Sequence, residues 1–242
     1  MKKTRLLFIF FLLVVSFSLL AYPKDSVVAN DVVQVIGLTE TVDGKTYSDL
    51  DELATKWIFP ADFSKTPLDD ADGSRSIIGL QPLATIVILA SNLGGTSTRS
   101  LTIPANRYVF FQLIGSTNWY FTNDPCNPDY KPASGQSAVD FLSVDIELTL
   151  NGVKNMVAQL DGKNLVTDLK KYKVITKPFG LIPPKDFLDP ACDYANQVAV
   201  AVDSSYALLL KIPKGNHVLT YKADLSDTSN LRTELTWHLT VE

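Results

Sequence analysis

Apolar residues follow three different spacings along this 242-residue chain. From Leu6 to Leu20 they run almost without interruption, broken by Ser16 and Ser18. At Leu50, Leu53, Ala54 and Trp57 they recur at helical spacing. Ser48 precedes that stretch as an N-cap, with Asp51 three residues on in place of the Glu of a capping box, and Pro60 ends it. The pattern predicts a helix over 48–58 that Trp57 docks on the core. Beyond Arg75 the spacing is that of strands. Thr85–Ala90 is a continuous β-branched run of the kind covered on both faces. Arg99–Ile103 and Tyr108–Ile114 follow, separated by the turn Pro104-Ala105-Asn106.

Further strands are predicted in the second half. Val144, Ile146, Leu148 and Leu150 alternate with Asp145, Glu147 and Thr149, which predicts a strand with one buried and one wet face. Asn151-Gly152, directly before Val153–Leu160, reads as a two-residue hairpin turn, and Asp161-Gly162 as another turn. Tyr206–Ile212 and His217–Leu225 flank Pro213-Lys214-Gly215-Asn216, again a predicted hairpin. In the last strand Leu231, Thr233, Leu235, Trp237, Leu239 and Val241 share one face, and Arg232, Glu234, Thr236, His238, Thr240 and Glu242 the other. Many short strands punctuated by Gly, Pro and Asn predict an all-β fold, a two-sheet β-sandwich of jelly-roll type with one short N-terminal helix. The expected organisation is a leader over 1–21, a first strand or tether over 22–45, and one sandwich domain over 46–242. The longest irregular stretches, 115–140 and 177–196, each hold one cysteine and several prolines. Long loops on a rigid sandwich are where binding resides.

The first apolar run changes the picture of what the chain meets. Lys2, Lys3 and Arg5 precede it and Ala21 closes it, the layout of a secretory signal peptide cleaved after Ala21 or, alternatively, after Ala29. A membrane-spanning helix needs about 20 apolar residues, more than this run supplies. Loss of the leader leaves 19 basic against 26 acidic side chains, a net charge of −7. That balance argues against nucleic acid, and no polybasic cluster remains to hold a membrane surface after signal removal. The expected location is secreted, periplasmic or extracellular. There Cys126 and Cys192 are expected to form a disulfide. Two cysteines without a nearby histidine do not make a zinc site, and no Asn-x-Ser/Thr sequon is present. Neither a metal nor another cofactor is implied.

Motifs for catalysis are sparse. There is no Gly-x-Ser-x-Gly elbow, no His-Glu-x-x-His and no phosphate-cradling glycine loop. His238 falls on the polar face of the last strand, His217 at the start of a strand, and neither is tied to a nucleophile. Asp69, Asp70 and Asp72 before Gly73 resemble part of a calcium loop. Leu68 and Gly79 occupy the positions where that loop needs acids, so a solvated turn is expected. The segment from Trp119 to Tyr130 holds the candidate ligand-binding residues Trp119, Tyr120, Asn123, Asp124, Asp129 and Tyr130. Aromatic rings there could stack on sugar faces while Asn and Asp take hydroxyl bonds; the alternative is that the rings fill the core beneath a long loop. Asp124 or Asp129 with Asp140 or Glu147 would be the carboxylate pair of a glycan hydrolase or lyase.

One set of short motifs extends over most of residues 44–242. Gly44-Lys45-Thr46-Tyr47 and Trp57, Asn92–Arg99, Leu101–Ala105 with Phe110-Phe111, Val157–Leu165, and Ile212–His217 occur in that order. Together they resemble a family of secreted bacterial and archaeal β-rich proteins with a "GKTY…W" opening and a "GG-T-TR…T-(I/V)-P-A…FF" run. This chain departs from that pattern at Asn106 and Gln112 and in having the single tryptophan Trp57 in its opening helix. The resemblance implies a signal-bearing β-rich protein without an established activity and carries over no catalytic residue. The expected function is a non-catalytic interaction module facing a glycan or an envelope protein. A carbohydrate-binding module using the 115–130 loop and a carboxylate-dependent hydrolase or lyase are the alternatives.

Overall fold

The structure, a computed structural model, describes residues 32–194, 197–225 and 232–242. The expected leader, the first part of the tether and Leu231 lie outside those residues. In chain order the regular elements are β1 (Gln34–Val35), α1 (Tyr47–Ile58), β2 (Ile86–Leu89), β3 (Gly95–Ile103), β4 (Tyr108–Tyr120), α2 (Ala138–Asn151) and β5 (Val153–Leu160). They continue with β6 (Lys163–Asn164), β7 (Lys173–Ile175), β8 (Phe179–Leu181), β9 (Ala199–Lys211), β10 (Gly215–Leu225) and β11 (Arg232–Val241). Among the described residues no helix is long and apolar enough to cross a membrane.

The strands form two sheets, as the sequence predicts. The first runs β1-β9-β4-β2, with β7 and β8 also pairing with β9; the second runs β3-β11-β10-β5-β6. Two pairings are parallel, β2 with β4 and β3 with β11, whereas jelly rolls are antiparallel architectures. Between the sheets lies the main core, built from alternate residues such as Phe111, Leu208, Leu219, Tyr221, Leu235 and Trp237. Phe111 and Tyr221 stack across it at 4.7 Å. β11 shows the predicted alternation, with Thr233, Leu235, Trp237, Leu239 and Val241 buried. β2 is buried at every position, because Val87 and Leu89 face the other sheet while Ile86 and Ile88 face α1.

The N-cap of α1 lies two residues earlier than the sequence suggests. Thr46, not Ser48, is the N-cap: its hydroxyl accepts the Asp49 amide and the Asp49 carboxylate accepts the Thr46 amide, a reciprocal capping box. The buried stripe is Tyr47, Leu50, Asp51, Ala54 and Thr55, rotated from the expected one, so Leu53 and Trp57 are half-buried at its edge. The helix covers the outer face of the first sheet over Ile86, Ile88, Phe110, Ala207 and Leu209. Each of the buried Ile, Leu and Phe side chains in that set contributes about 1.5–3 kcal/mol. Tyr47 anchors the near end, donating from its phenol to Ile36 O at 2.7 Å and accepting from Leu209 N at 3.0 Å.

Three predictions fail for identifiable reasons. Residues 144–150 are not a strand but part of a second helix, α2, capped by Ser137. Leu142, Ile146 and Leu150 form its buried i, i+4, i+8 row, and Val144 and Leu148, the other half of the apparent alternation, are exposed. Asn151-Gly152 therefore closes a helix instead of turning a hairpin. Pro213–Asn216 does not close a hairpin either, because β9 and β10 lie in different sheets and the turn carries the chain across the sandwich. Asp161-Gly162 does turn a hairpin, both residues having positive φ and Leu160 pairing with Lys163. His217 sits at this end, one ring nitrogen 2.8 Å from Asp161 Oδ2 and the other 3.0 Å from Pro213 O.

The acidic turn before Gly73 is not simply solvated. Asp70 is buried, and its carboxylate accepts the amides of Gly73 and Arg75 at 3.1 and 2.9 Å; Asp69 and Asp72 are exposed. Nearby, the guanidinium of buried Arg99 donates to Leu68 O, Ala90 O and Ser91 O and lies over the ring of Trp237. One cation from β3 thus ties two loops to the sandwich.

Candidate functional site

The site is set by a slip in one strand. Pairing of β4 with β9 shifts between Gln112 and Ile114, so Leu113 and Ile114 both face the main core. Such a bulge reverses which side chains face which way beyond it. Phe110 and Gln112 point outward before the slip, and Thr117 and Trp119 point outward after it, opposite Asp203 and Ala201 of β9. α1 covers only the first part of this outer face. The remainder is covered by irregular chain.

Trp119 emerges there into a cluster of rings. Phe63 and Phe187 meet edge to face at 4.8 Å, Phe59 lies 5.9 Å from Phe187, and Trp119 lies 6.3 Å from Phe59 and 6.4 Å from Phe187. Beside the cluster opens a cavity of about 780 Å³. Phe121, Ile182, Leu188, Tyr194 and Val198 supply apolar wall, and Lys185, Asp189, Asp193 and Gln197 supply its polar groups. Ala61, between Phe59 and Phe63, and Leu188, next to Phe187, also line it, which sets the ring cluster beside the cavity although none of its four rings lines the wall. Ile182, Phe187 and Val198 are about half exposed, at 58%, 48% and 57%.

The expected disulfide is present. Cys126 and Cys192 join the two long loops with Cα atoms 6.0 Å apart, and Cys192 lines the cavity. Asp189 lies within 4.8 Å of both sulfurs. Sulfurs joined to each other offer no thiolate, so the group is a covalent clip and not a metal donor set. Asp124 shapes the loop: its Oδ1 accepts the amides of Cys126 and Asn127 and the phenol of Tyr194. Tyr194 in turn packs on Phe121 at 4.7 Å. Burial, and then the Asp124 carboxylate, push the Tyr194 phenol above its ordinary value.

No protein-family model and no curated protein matches the chain. Among solved structures, a chain from the complex of PbICP-C with falcipain-2 aligns over 65% of this chain and 99% of its own length, with 8% identity and a TM-score of 0.26. A likeness that slight carries no argument.

The six residues of the 119–130 segment do not converge. Trp119 and Tyr120, adjacent on a strand, face opposite ways. Trp119 joins the ring cluster outside, while Tyr120 packs edge-on against Phe141 of α2 at 5.8 Å. Tyr130 packs on the same Phe141 at 5.0 Å and accepts from Asn118. Asn123 and Asp129 are exposed, and Asp124 is taken up by the loop it organises. The proposed carboxylates are also dispersed. Asp140 bonds the Ser137 cap of α2 and Glu147 pairs with Lys173, and neither these nor Asp124 and Asp129 line the 780 Å³ cavity.

The sequence reading missed Phe59, Phe63 and Phe187, which meet Trp119 only in three dimensions. It also missed a polar cluster under α1. Asp51, on the buried face of an amphipathic helix, was a visible signal for it. Its Oδ1 accepts from Gln112 Nε2 at 2.8 Å and from Ser205 Oγ at 2.5 Å. Asp203 accepts from Gln112 at 3.2 Å and from the Thr117 hydroxyl. Both carboxyls are buried, Asp51 fully and Asp203 to 2% exposure. A second cavity of about 220 Å³ reaches Asp203, Gln112 and Thr117 from the side of Phe59 and Ile58.

Proposed function

We propose that the protein is a non-catalytic, extracytoplasmic interaction module whose ligand places an apolar group in the 780 Å³ cavity beside the Phe59–Phe63–Trp119–Phe187 cluster. The observation that carries the reading is the construction of that cavity: mainly apolar walls, a few polar groups, and loops clipped by a disulfide to a rigid sheet. Sites that bind small molecules or partner side chains have this composition. The disulfide supports an oxidising compartment, and so does the leader read from the sequence. Of the carboxylates expected for hydrolysis, Asp124, Asp140 and Glu147 are engaged in separate local bonds and Asp129 is exposed, with none lining the cavity, which favours binding over catalysis.

The rings favour an apolar group over a sugar. Apart from Phe59 and Phe63, which stack, they meet one another edge to face, so most ring faces are covered by a neighbour and do not form an open platform. The ligand in this reading is a protein partner inserting a bulky aliphatic or aromatic side chain. A positional peptide array probed with the oxidised protein, alongside a glycan array, tests it. Peptides carrying a bulky apolar residue are expected to be retained, with retention lost in Ile182→Asp and Val198→Asp, two half-exposed positions where a charge leaves the fold intact. Retention of glycans instead, lost in Trp119→Ala, would overturn this reading in favour of a carbohydrate module.

A further inference from the structure

Asp51 and Asp203 come from different elements, α1 and β9, and meet under the helix. Both accept from the same Gln112 amide nitrogen, at 2.8 and 3.2 Å, so the two carboxyls are direct neighbours. Among the described residues neither takes part in an ion pair. The groups that face them are neutral: Thr55 from α1, Gln112 and Thr117 from β4, Ser205 from β9, and Thr176, the residue after β7, which is bonded to the Asp203 backbone. The other charged side chains of α1 are engaged elsewhere, Asp49 at the Thr46 cap and Glu52 with Lys56, whose amine lies over the ring of Phe179, and Lys173 of β7 pairs with Glu147. Two carboxylates so enclosed cannot both be ionised at an acceptable cost. One proton between them removes the repulsion and gives Asp51 Oδ2, otherwise without a partner, a bond across the helix–sheet interface.

We propose that the Asp51–Asp203 pair is a proton-operated latch, in which a shared proton holds α1 on the outer face of the first sheet and its loss loosens the C-terminal half of the helix. Asp51 sits one turn before Thr55, whose carbonyl accepts the Phe59 amide that closes the helix. Phe59 is a member of the ring cluster. Loosening α1 therefore disturbs the ring cluster beside the cavity, and the bearing of this on binding alone rests on the role proposed above. The 220 Å³ cavity at Asp203 provides the route by which water reaches the pair.

The sign follows from burial. Burial raises both carboxyls above their ordinary range, and the neighbouring Asp51 charge raises Asp203 further. The native pair then keeps a proton that the unfolded chain has released. Its contribution to stability is full below the ordinary carboxyl value of 3.8 and is lost as pH rises toward the raised value of the pair. In that window the melting temperature should fall by about 3–5 °C per pH unit for each retained proton.

The test is amide exchange of residues 50–59, corrected for intrinsic rate and referenced to β11, together with melting temperature, both followed from pH 4 to pH 9. In the wild type, exchange of α1 is expected to accelerate with pH relative to β11. In Asp203→Asn, which keeps a donor toward Asp51 and cannot form the second charge, it should not. Asp51→Asn provides the same comparison should the first variant fold poorly. Protection of α1 that is independent of pH in the wild type, or that changes equally in both variants, would overturn the latch. Because the readout is the helix itself, failure here is separable from failure of the ligand site.

Discussion

Removing the Cys126–Cys192 bridge tests whether the two long loops are held by covalent closure or by their own contacts. The cysteines are 66 residues apart, so the bridge closes a loop that costs the unfolded chain about 4 kcal/mol of entropy in the chain-entropy treatment. The Cys126→Ser/Cys192→Ser double variant is expected to lose about that much in urea unfolding, with a melting temperature lower by roughly 8–16 °C. Its urea slope should rise, because the uncrosslinked unfolded chain exposes more surface. The native sheets should persist, since neither cysteine lies in a strand. The site should not: Cys192 is part of the cavity wall and Asp124 holds the Cys126 turn, so peptide retention should fall even under conditions where the variant is folded. A loss below about 1 kcal/mol with an unchanged slope would refute the loop-entropy reasoning. It would mean that contacts such as Phe121 with Tyr194 already order both loops.

Three further substitutions probe the frame of the site. Arg99→Lys keeps the charge but cannot reach Leu68 O, Ala90 O and Ser91 O together; a loss of about 2–4 kcal/mol in urea unfolding is expected. Tyr47→Phe leaves the Leu209 amide and the Ile36 carbonyl unpaired in a buried place, and should cost about 1–3 kcal/mol by the same measurement. Gly73→Ala places a Cβ 2.7 Å from Ser100 O at a residue with φ of 95°. A lower melting temperature, corresponding to about 1–3 kcal/mol, is expected, with peptide retention unchanged because Gly73 is remote from the cavity wall.

What could be read from the sequence was whatever repeats with a single period. β11 alternates without a break and was predicted in full. β2 is apolar at every position, and its burial on both faces followed. The disulfide followed from having two cysteines beside a leader. Residues 138–151 misled because apolar residues at every second position also contain an i, i+4 row; Ser137, three residues before Asp140, was the cap signal that separated the two. Pro213–Asn216 has the composition of a hairpin, but whether consecutive strands pair or cross between sheets depends on which edges are already occupied, and local sequence does not contain that. The site was least readable. The slip at Leu113 sends Trp119 out and Tyr120 in, and no turn residue marks it. Phe59, Phe63, Trp119 and Phe187 are brought together from three segments that share no pattern.

The position of the cavity follows from how the outer face of the first sheet is covered. Over Ile86, Phe110, Ala207 and Leu209 that face meets α1, a regular surface whose side chains fill the interface. Past the slip, over Trp119 and Ala201, it meets Phe59, Phe187 and the irregular chain that follows β8. Pro183, Pro184 and Pro190 keep that chain from continuing as a helix or an inner strand, since proline lacks the donor that either needs. Irregular chain leaves backbone groups that must stay near water, so it packs apolar surface less completely than a helix does. A large, mostly apolar space beside a half-exposed ring cluster is the result. The same boundary explains why the two acids lie where they do. Asp51 and Asp203 stand between the apolar interface under α1 and the ring cluster, where a change in one proton would reach those rings through Phe59 with least loss elsewhere in the core.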